Sequence, residues 1–454
     1  MMILALLLSL QDRPNVVVFL ADDLGARDLR VTGSSFYDTP HLDALARDGV
    51  IFTRAYAACP VCSPTRASLL TGRWPQRTGI TDWIGAAQPW TRPTKLLPPR
   101  YAERLALEEN TLAETLKAAG YATLHAGKWH LGKEPYFPEH QGFDVNRGGI
   151  DKGGPYGGKK YFSPYGNPRL TDGPDGEHIA DRLAAECGTF MEANKDRPFF
   201  INFWLYDVHT PLMGKPELVK KYEERAKAIE DQWGQEGGAK VRLSQKHAVY
   251  GAMVETMDGA VGAVLAKLDA LGLSKKTIVL FTSDNGGLST SEGSPTSNAP
   301  LRAGKGWLYE GGVRVPLIVR GPGVKPGTSD RMVVTPDVFR TVTDACGLPP
   351  TPSAQDSVSF LPTLRGEAQP PRSPLYWHYP HYPNQAAFPG GATRDGDWKL
   401  IENYESGAAE LYDLSKDPSE TTNLAAQEPG RAKAMAAALE GWRKDVGAQM
   451  PTPR

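Results

Sequence analysis

Cysteine is scarce in this chain: Cys59, Cys62, Cys187 and Cys346 are the only ones among 454 residues. Four cysteines in so long a chain do not make a disulfide framework. Cys59 and Cys62 stand in C-x-x-C spacing, but no second pair and no thioredoxin-like context accompanies them, so neither a zinc site nor a redox pair follows. A surplus of one charge sign is also missing, since the formal net charge is -1, which gives no general attraction to nucleic acid or to an anionic membrane. No run of about 18 apolar residues exists, which excludes a membrane-spanning helix. Internal repeats, coiled-coil heptads and any signal for an oligomeric state are absent too.

What is present describes an ordinary globular protein, with 40% hydrophobic and 23% charged residues. The length is enough for a large core and more than one domain. Raised counts of glycine (47) and proline (38) point to many loops. Met1–Leu10 is almost wholly apolar and precedes polar Gln11-Asp12-Arg13. Residues 1–11 are therefore expected to be a secretory signal segment, directing the chain to the periplasm or outside. The stretch lacks a basic start and a clear small-x-small cleavage site, and cytoplasmic residence is the alternative.

From Asn15 onward the chain alternates strand, loop and helix. Asn15–Ala21, Tyr121–Ala126, Pro198–Leu205 and Thr277–Thr282 are apolar runs of strand length. Amphipathic segments lie between them at His41–Asp48, Thr111–Ala119, Ile179–Asn194 and His247–Leu271. The pattern predicts an α/β fold, a mostly parallel sheet with helices on both faces. In such sheets ligands bind beyond the carboxyl ends of the strands. Here the four strands run into Asp22-Asp23, Lys128-Trp129-His130, Asp207 with His209, and Asp284-Asn285. Asp22, Asp23, Asp284 and Asn285 offer only oxygen, which suits a hard divalent cation better than zinc. Read singly, each pair is a turn or a helix cap.

Cys62-Ser63-Pro64-Thr65-Arg66 supplies the sharpest signal. Pro64 suits the first turn of a helix, and Arg66 falls one turn from Cys62 on the same face. Cys62 is thus placed at a helix N-terminus, where amides and dipole attract anions. With Thr71-Gly72-Arg73 following, this stretch resembles the C-x-P-x-R and T-G-R signature of the type I sulfatases, in the alkaline phosphatase-like superfamily. The resemblance covers the chain from Asn15 to roughly Pro352.

The resemblance implies a mixed, mostly parallel sheet sandwiched by helices, with a small C-terminal antiparallel sheet and helix. It implies that Cys62 is oxidised to formylglycine (3-oxoalanine) by a formylglycine-generating or equivalent maturation system. It assigns Asp22, Asp23, Asp284 and Asn285, with the modified Cys62, to one metal ion, calcium rather than magnesium. Lys128, His209 and Lys305 are implied to bind the sulfate, and Cys62, Arg66, His130 and His209 to carry the catalysis. Glu310 and Arg314 are expected to brace the Lys305 loop, and His125, inside an apolar strand, to be structural.

The chemistry accounts for the residue types. Metal and lysine neutralise a sulfate whose charge redistributes in the transition state. One hydroxyl of a hydrated aldehyde attacks sulfur and the other allows free sulfate to leave, an exit a thiol lacks. Arg66 is expected to hold the hydrate, His130 to act as base, and His209 or Lys305 to protonate the leaving oxygen. The implied substrate is a sulfated sugar, a polysaccharide fragment or an aryl sulfate. A phosphonate monoester or phosphodiester hydrolase of the same superfamily is the nearest rival, and a single set of four oxygen ligands favours the sulfatase. An inactive sulfated-glycan-binding protein is a third reading, opposed by the joint presence of Cys62 and the four oxygen donors.

The catalytic domain is expected over residues 12–352, with a linker and an α+β subdomain over 353–454. The subdomain is read as beginning at Leu375–Tyr382, with strands in Ala392–Ile401 and Ala409–Leu414 around Asp-Gly and Gly turns and a helix from about Arg431 to Val446. Trp83–Arg100 and Gly153–Gly176 are read as loops over the strand ends, where specificity usually lives. Tyr376–Tyr382 either lines the pocket or packs a domain interface.

Overall fold

The structure, a computed structural model, describes residues 13–86, 93–372 and 374–454. The Met1–Leu10 segment and residues 87–92 of the Trp83–Arg100 loop lie outside them. The central sheet contains β1 (Asn15–Ala21), β2 (Val50–Phe52), β3 (Ala122–Gly127), β4 (Val145–Arg147), β5 (Phe199–Trp204), β6 (Thr277–Ser283), β7 (Leu317–Arg320) and β8 (Gly327–Ser329). Their order across the sheet is β8-β2-β7-β6-β1-β5-β3-β4. All pairings are parallel except those of β7 with its two neighbours.

β1 shows why the sheet is buried on both sides. Val17, Phe19 and Ala21 join one core cluster with α1 (Pro40–Arg47), α4 (Ile179–Ala193) and α5 (Ala248–Ala270). Val16, Val18 and Leu20, on the opposite face, join a second with α2 (Cys62–Thr71), α3 (Leu112–Ala118) and α6 (Asp337–Ala345). Side chains that alternate along a strand have an apolar destination on each face, so the run is continuously hydrophobic. At the start of α3, Thr111 accepts from the Glu114 N–H while Glu114 accepts from the Thr111 N–H, a reciprocal cap that fixes where the helix begins.

The antiparallel sheet follows at β9 (Leu375–Tyr379), β10 (Gly390–Asp395), β11 (Trp398–Asn403) and β12 (Ala409–Asp413), in that order. Helix α7 (Pro429–Asp445) packs Met435 against Leu400 and Leu411 on one face. The other face, with Trp377, Ala392, Ile401 and Tyr412, packs on Tyr56, Trp307 and Tyr309 of the larger part. The Tyr376–Tyr382 cluster therefore resolves as an interface: Trp377 Nε1 donates to Ala57 O at 2.8 Å and Tyr379 Oη to Asp82 Oδ1 at 2.7 Å. Among the described residues no helix is long and apolar enough to cross a membrane.

Candidate active site

The four central parallel strands β6, β1, β5 and β3 end on one rim. Ala21 pairs with Ser283 in register, so the next residues, Asp22 and Asp284, leave adjacent strands side by side. Asp23 N–H donates to Asp284 Oδ1 at 3.2 Å, and Asn285 Nδ2 donates to Asp23 Oδ1 at 2.9 Å. Asp23 adopts φ 65, a left-handed conformation that a non-glycine residue holds only when its surroundings enforce it. Gly286 is required after Asn285, since a Cβ there would lie 1.9 Å from Gly311 O.

Three cations face these three carboxylates. Arg66 Nη2 lies 2.7 Å from Asp284 Oδ2 and 3.5 Å from Asp22 Oδ1. Lys128 Nζ lies 2.7 Å from Asp22 Oδ2, and Lys305 Nζ lies 2.7 Å from Asp23 Oδ2. Burial works to raise the Asp23 carboxyl, but Lys305, His209 and Lys128 outweigh it and hold the group below the usual range. Two buried oxygens, Asp22 Oδ1 and Asn285 Oδ1, have no hydrogen-bond partner. A buried polar atom without a partner is costly, and an all-oxygen set with spare lone pairs fits a hard divalent cation. Asp22, Asp23 and His209 also place ligand atoms within 4.8 Å of one another.

Cys62 is the first residue of α2, and every residue of that helix is buried. Cys62 Sγ lies 3.4 Å from His130 Nδ1, while His130 Nε2 lies 2.7 Å from Ile84 O. A carbonyl only accepts, so Nε2 carries the proton and Nδ1 presents a lone pair to residue 62. Burial, reinforced by Lys128, keeps the His130 imidazole neutral. The same logic assigns His209: Nδ1 lies 2.6 Å from Thr210 O and bears the proton, leaving Nε2 bare at 3.8 Å from Asp23 Oδ2. Burial pushes the Cys62 thiol up despite the pull of Lys128 and Lys305.

Cys62, His130, His209 and Lys305 line one cavity of about 690 Å³. Lys128 and Arg66 are fully buried behind it. Arg66, expected to hold the nucleophile, spends its guanidinium on Asp284, Asp22 and Lys128 O. Arg73 of the Thr71-Gly72-Arg73 segment is bidentate to Glu109 at 2.7 Å, and Gly72 is the left-handed cap of α2. That segment thus fixes the helix rather than the chemistry. His125 is structural: Nε2 donates to Gly127 O, Nδ1 accepts from Asn202, and the ring packs on Trp129 and Trp204. Glu310 braces as expected, taking Tyr56, Arg394, Lys399 and, at 3.6 Å, Arg314.

Trp83 and Ile84 from one predicted loop, and Asp151, Lys152 and Tyr156 from the region of the other, wall the cavity. Glu103, Arg104, Glu292, Asn384 and Gln385 line it as well and were not foreseen. Asn384 and Gln385 both donate to Glu292 Oε1 at 2.9 Å, which ties the chain between β9 and β10 to the rim. The aromatic and histidine cluster just before them was the only signal for that wall.

A family model described as Sulfatase matches residues 14–348 of this chain. The chain belongs to the sulfatase family. A second family model, N-sulphoglucosamine sulphohydrolase, C-terminal, matches residues 303–443. A sulfatase of Formosa agariphila is 32% identical over 498 residues, covering 92% of this chain and 86% of that protein. Arylsulfatase A of Homo sapiens is 31% identical over 466 residues, covering 90% and 83%. The crystal structure of Ps i-CgsB matches with a TM-score of 0.78 at 26% identity, covering 95% of this chain and 92% of that one. The same protein has been solved in complex with k-i-k-neocarrahexaose. The fold is alkaline phosphatase-like, and the chain is a sulfuric ester hydrolase. Sulfatases generally use a formylglycine and a divalent metal.

Proposed function

We propose that this sulfatase releases inorganic sulfate from a sulfated sugar, with residue 62 as the nucleophile's position. The observation that carries the reading is the convergence, in one cavity, of Cys62, a His130 nitrogen ready to accept a proton, and Lys305, whose Nζ rests on Asp23 of the buried oxygen-rich cluster with Asp22, Asp284 and Asn285. Oxidised to formylglycine by a maturation enzyme, position 62 supplies two hydroxyl oxygens in hydrated form, one to attack sulfur and one to let sulfate go. Asp22, Asp23, Asp284 and Asn285 would hold a calcium ion, which would supply positive charge to the sulfate oxygens.

The chain's own residues do the rest. The thiol of Cys62 is held neutral by burial, so unmodified it is a poor nucleophile. His130 Nδ1 takes a proton from the group on residue 62, and Ile84 O fixes the ring for that task. Lys128 and Lys305 neutralise the sulfate. Lys305 lines the cavity and carries protons to offer the leaving oxygen, whereas His209 Nε2 bears none in this arrangement. Arg66 holds Asp22 and Asp284 beside each other. Residues 12–352 carry this chemistry and residues 353–454 wall one side.

A sugar substrate is supported by the aromatic walls Trp83, Tyr136 and Tyr156 and by the oligosaccharide complex of the similar Ps i-CgsB. Apolar Met1–Leu10 supports export. The test is sulfate release by the matured protein from defined sulfated oligosaccharides, beside an aryl sulfate and an aryl phosphodiester. Turnover of the sugars and the aryl sulfate is expected. Faster turnover of the phosphodiester defeats the reading in favour of the phosphonate-type hydrolase.

A further inference from the structure

We propose that the cavity mouth holds a second anion subsite, built on Arg104 and Lys133, so that the preferred substrate carries another sulfate or a carboxylate besides the sulfate that is cleaved. The inference rests on the reading of the substrate as a sulfated sugar. Arg104 and Lys133 line the same cavity as Cys62 and are exposed. The Arg104 guanidinium lies 5.2 Å over the Tyr136 ring, and Tyr136 is a wall residue too. An aromatic face restrains a guanidinium while leaving its N–H groups free for an acceptor.

The packing around Arg104 is built into the catalytic loop. Gly132, two residues after His130, has φ 118, and a Cβ there would lie 2.9 Å from Arg104 Cβ and 3.1 Å from Tyr136 Cβ. The segment that delivers the base thus also seats the arginine. Among the described residues, Arg104, Lys133 and Lys152 of this wall have no ion-pair partner. Arginines close by in sequence are paired, Arg73 with Glu109 and Arg77 with Asp356. Acids share the mouth: Glu103 and Asp151 are exposed and likewise unpaired, while Glu292 is held by Thr210, Asn384 and Gln385. Glu292 has no ion pair either, so the mouth holds three such acids and three such cations, and what singles out Arg104 is the aromatic face that restrains its head. Unpaired cations beside a site that turns over anionic sugars are complementary to a second negative group.

The test compares kcat/KM for three oligosaccharides that share the cleaved sulfate: one with no other charge, one with a second sulfate and one with a carboxylate. At low salt the wild type is expected to prefer a doubly anionic sugar by about tenfold or more, the value of one charge-assisted contact. The larger of the two preferences identifies which group the subsite takes. Arg104→Ala and Lys133→Ala each shrink the preference, and Glu103→Gln enlarges it by removing a neighbouring negative charge. A wild type without preference, or a preference that survives in the Arg104→Ala/Lys133→Ala double variant, overturns the subsite while leaving sugar desulfation standing. Turnover of aryl sulfate with none of the three sugars overturns the sugar reading itself, and the subsite with it.

Discussion

At the strand ends, Asp22, Asp23 and Asp284 face Arg66, Lys128 and Lys305; at the junction with the small sheet, Glu310 and Glu420 face Lys399 and Arg394. All of these acids and cations are buried. In the second cluster every carboxylate oxygen has a cation or an N–H within 3.1 Å, although Glu420 Oε1 makes no aligned hydrogen bond. Glu310 Oε1 and Glu420 Oε1 each lie 3.0 Å from Lys399, Glu310 Oε2 lies 3.1 Å from Arg394, and Glu420 Oε2 accepts the Glu310 N–H at 2.7 Å. In the first cluster the nearest cation to Asp22 Oδ1 is Arg66 at 3.5 Å, and Asn285 Oδ1 has no hydrogen-bond partner. The saturated cluster pins one part of the chain to the other. The unsaturated one keeps lone pairs to spare, the mark of a site built for something more than its own side chains.

The comparison breaks most visibly if the rim cluster proves merely structural. Asp284→Asn, which keeps the shape and an acceptor for Arg66, is expected to cut kcat by several orders of magnitude with little change in melting temperature. Asp284→Ala is a poorer test, since it strands the fully buried Arg66 guanidinium. Steady-state kinetics beside thermal unfolding decides, and a large loss of stability with near-normal turnover would equate the two clusters.

Next in size is the leaving-group effect. Lys305→Met should harm alkyl sulfates about a hundredfold more than activated aryl sulfates, because a phenolate of low pKa needs little help to depart. His209→Ala should lower both alike, as befits a group that touches Asp23 rather than the leaving oxygen. A slope of log kcat/KM on leaving-group pKa that Lys305→Met leaves unchanged would return Lys305 to a purely electrostatic part.

The junction cluster answers in stability. Lys399→Met leaves Glu310 and Glu420 buried without their shared cation, at a cost of about 3–5 kcal/mol. Turnover per folded molecule should stay within a few-fold. Denaturant titration and active-site-normalised rates separate the two readouts.

The smallest effect is on pH. His125, below the rim, and His378, in the small sheet, are held neutral by burial, with pKa values lowered from the ordinary 6.5 to about 3 and about 4. The unfolded chain binds protons that the folded one refuses. Stability is therefore full above about pH 6.5 and falls as pH drops toward 4, by about 1.4 kcal/mol per pH unit for each ring. His125→Gln should remove part of that slope, measured by denaturation at pH 7, 6 and 5.

Much of the rim was legible in the sequence because it is local. Apolar runs of strand length ending in Asp22, Lys128, His209 and Asp284 need only the parallel topology to converge, and α2 begins at Cys62 as its Pro64 suggested. The four central parallel strands and helices α1, α3, α4 and α5 fall within a residue or two of the expected bounds, whereas β2, β4, β7, β8 and α6 had no expectation and Ala392–Ile401 resolves as two strands, Gly390–Asp395 and Trp398–Asn403. The pocket wall was less legible. Glu103, Arg104, Asn384 and Gln385 lie in loops without periodicity and reach the cavity through packing between distant segments. The partners of Arg66 were hidden for a related reason. Its spacing from Cys62 is a helix property, whereas its partners Asp284 and Asp22 come from other strands. Tyr376–Tyr382 carried both readings in sequence, and the hydrogen bonds to Ala57 and Asp82 decide for the interface.

The central claim is that residue 62 works only after its thiol has been converted. Mass spectrometry of the peptide carrying Cys62, paired with turnover on the same preparation, tests it directly. Activity should scale with the fraction converted to formylglycine, protein made without a maturation system should be nearly inert, and Cys59→Ala should behave as wild type. Full multiple-turnover activity from a preparation in which Cys62 is entirely thiol would contradict the account.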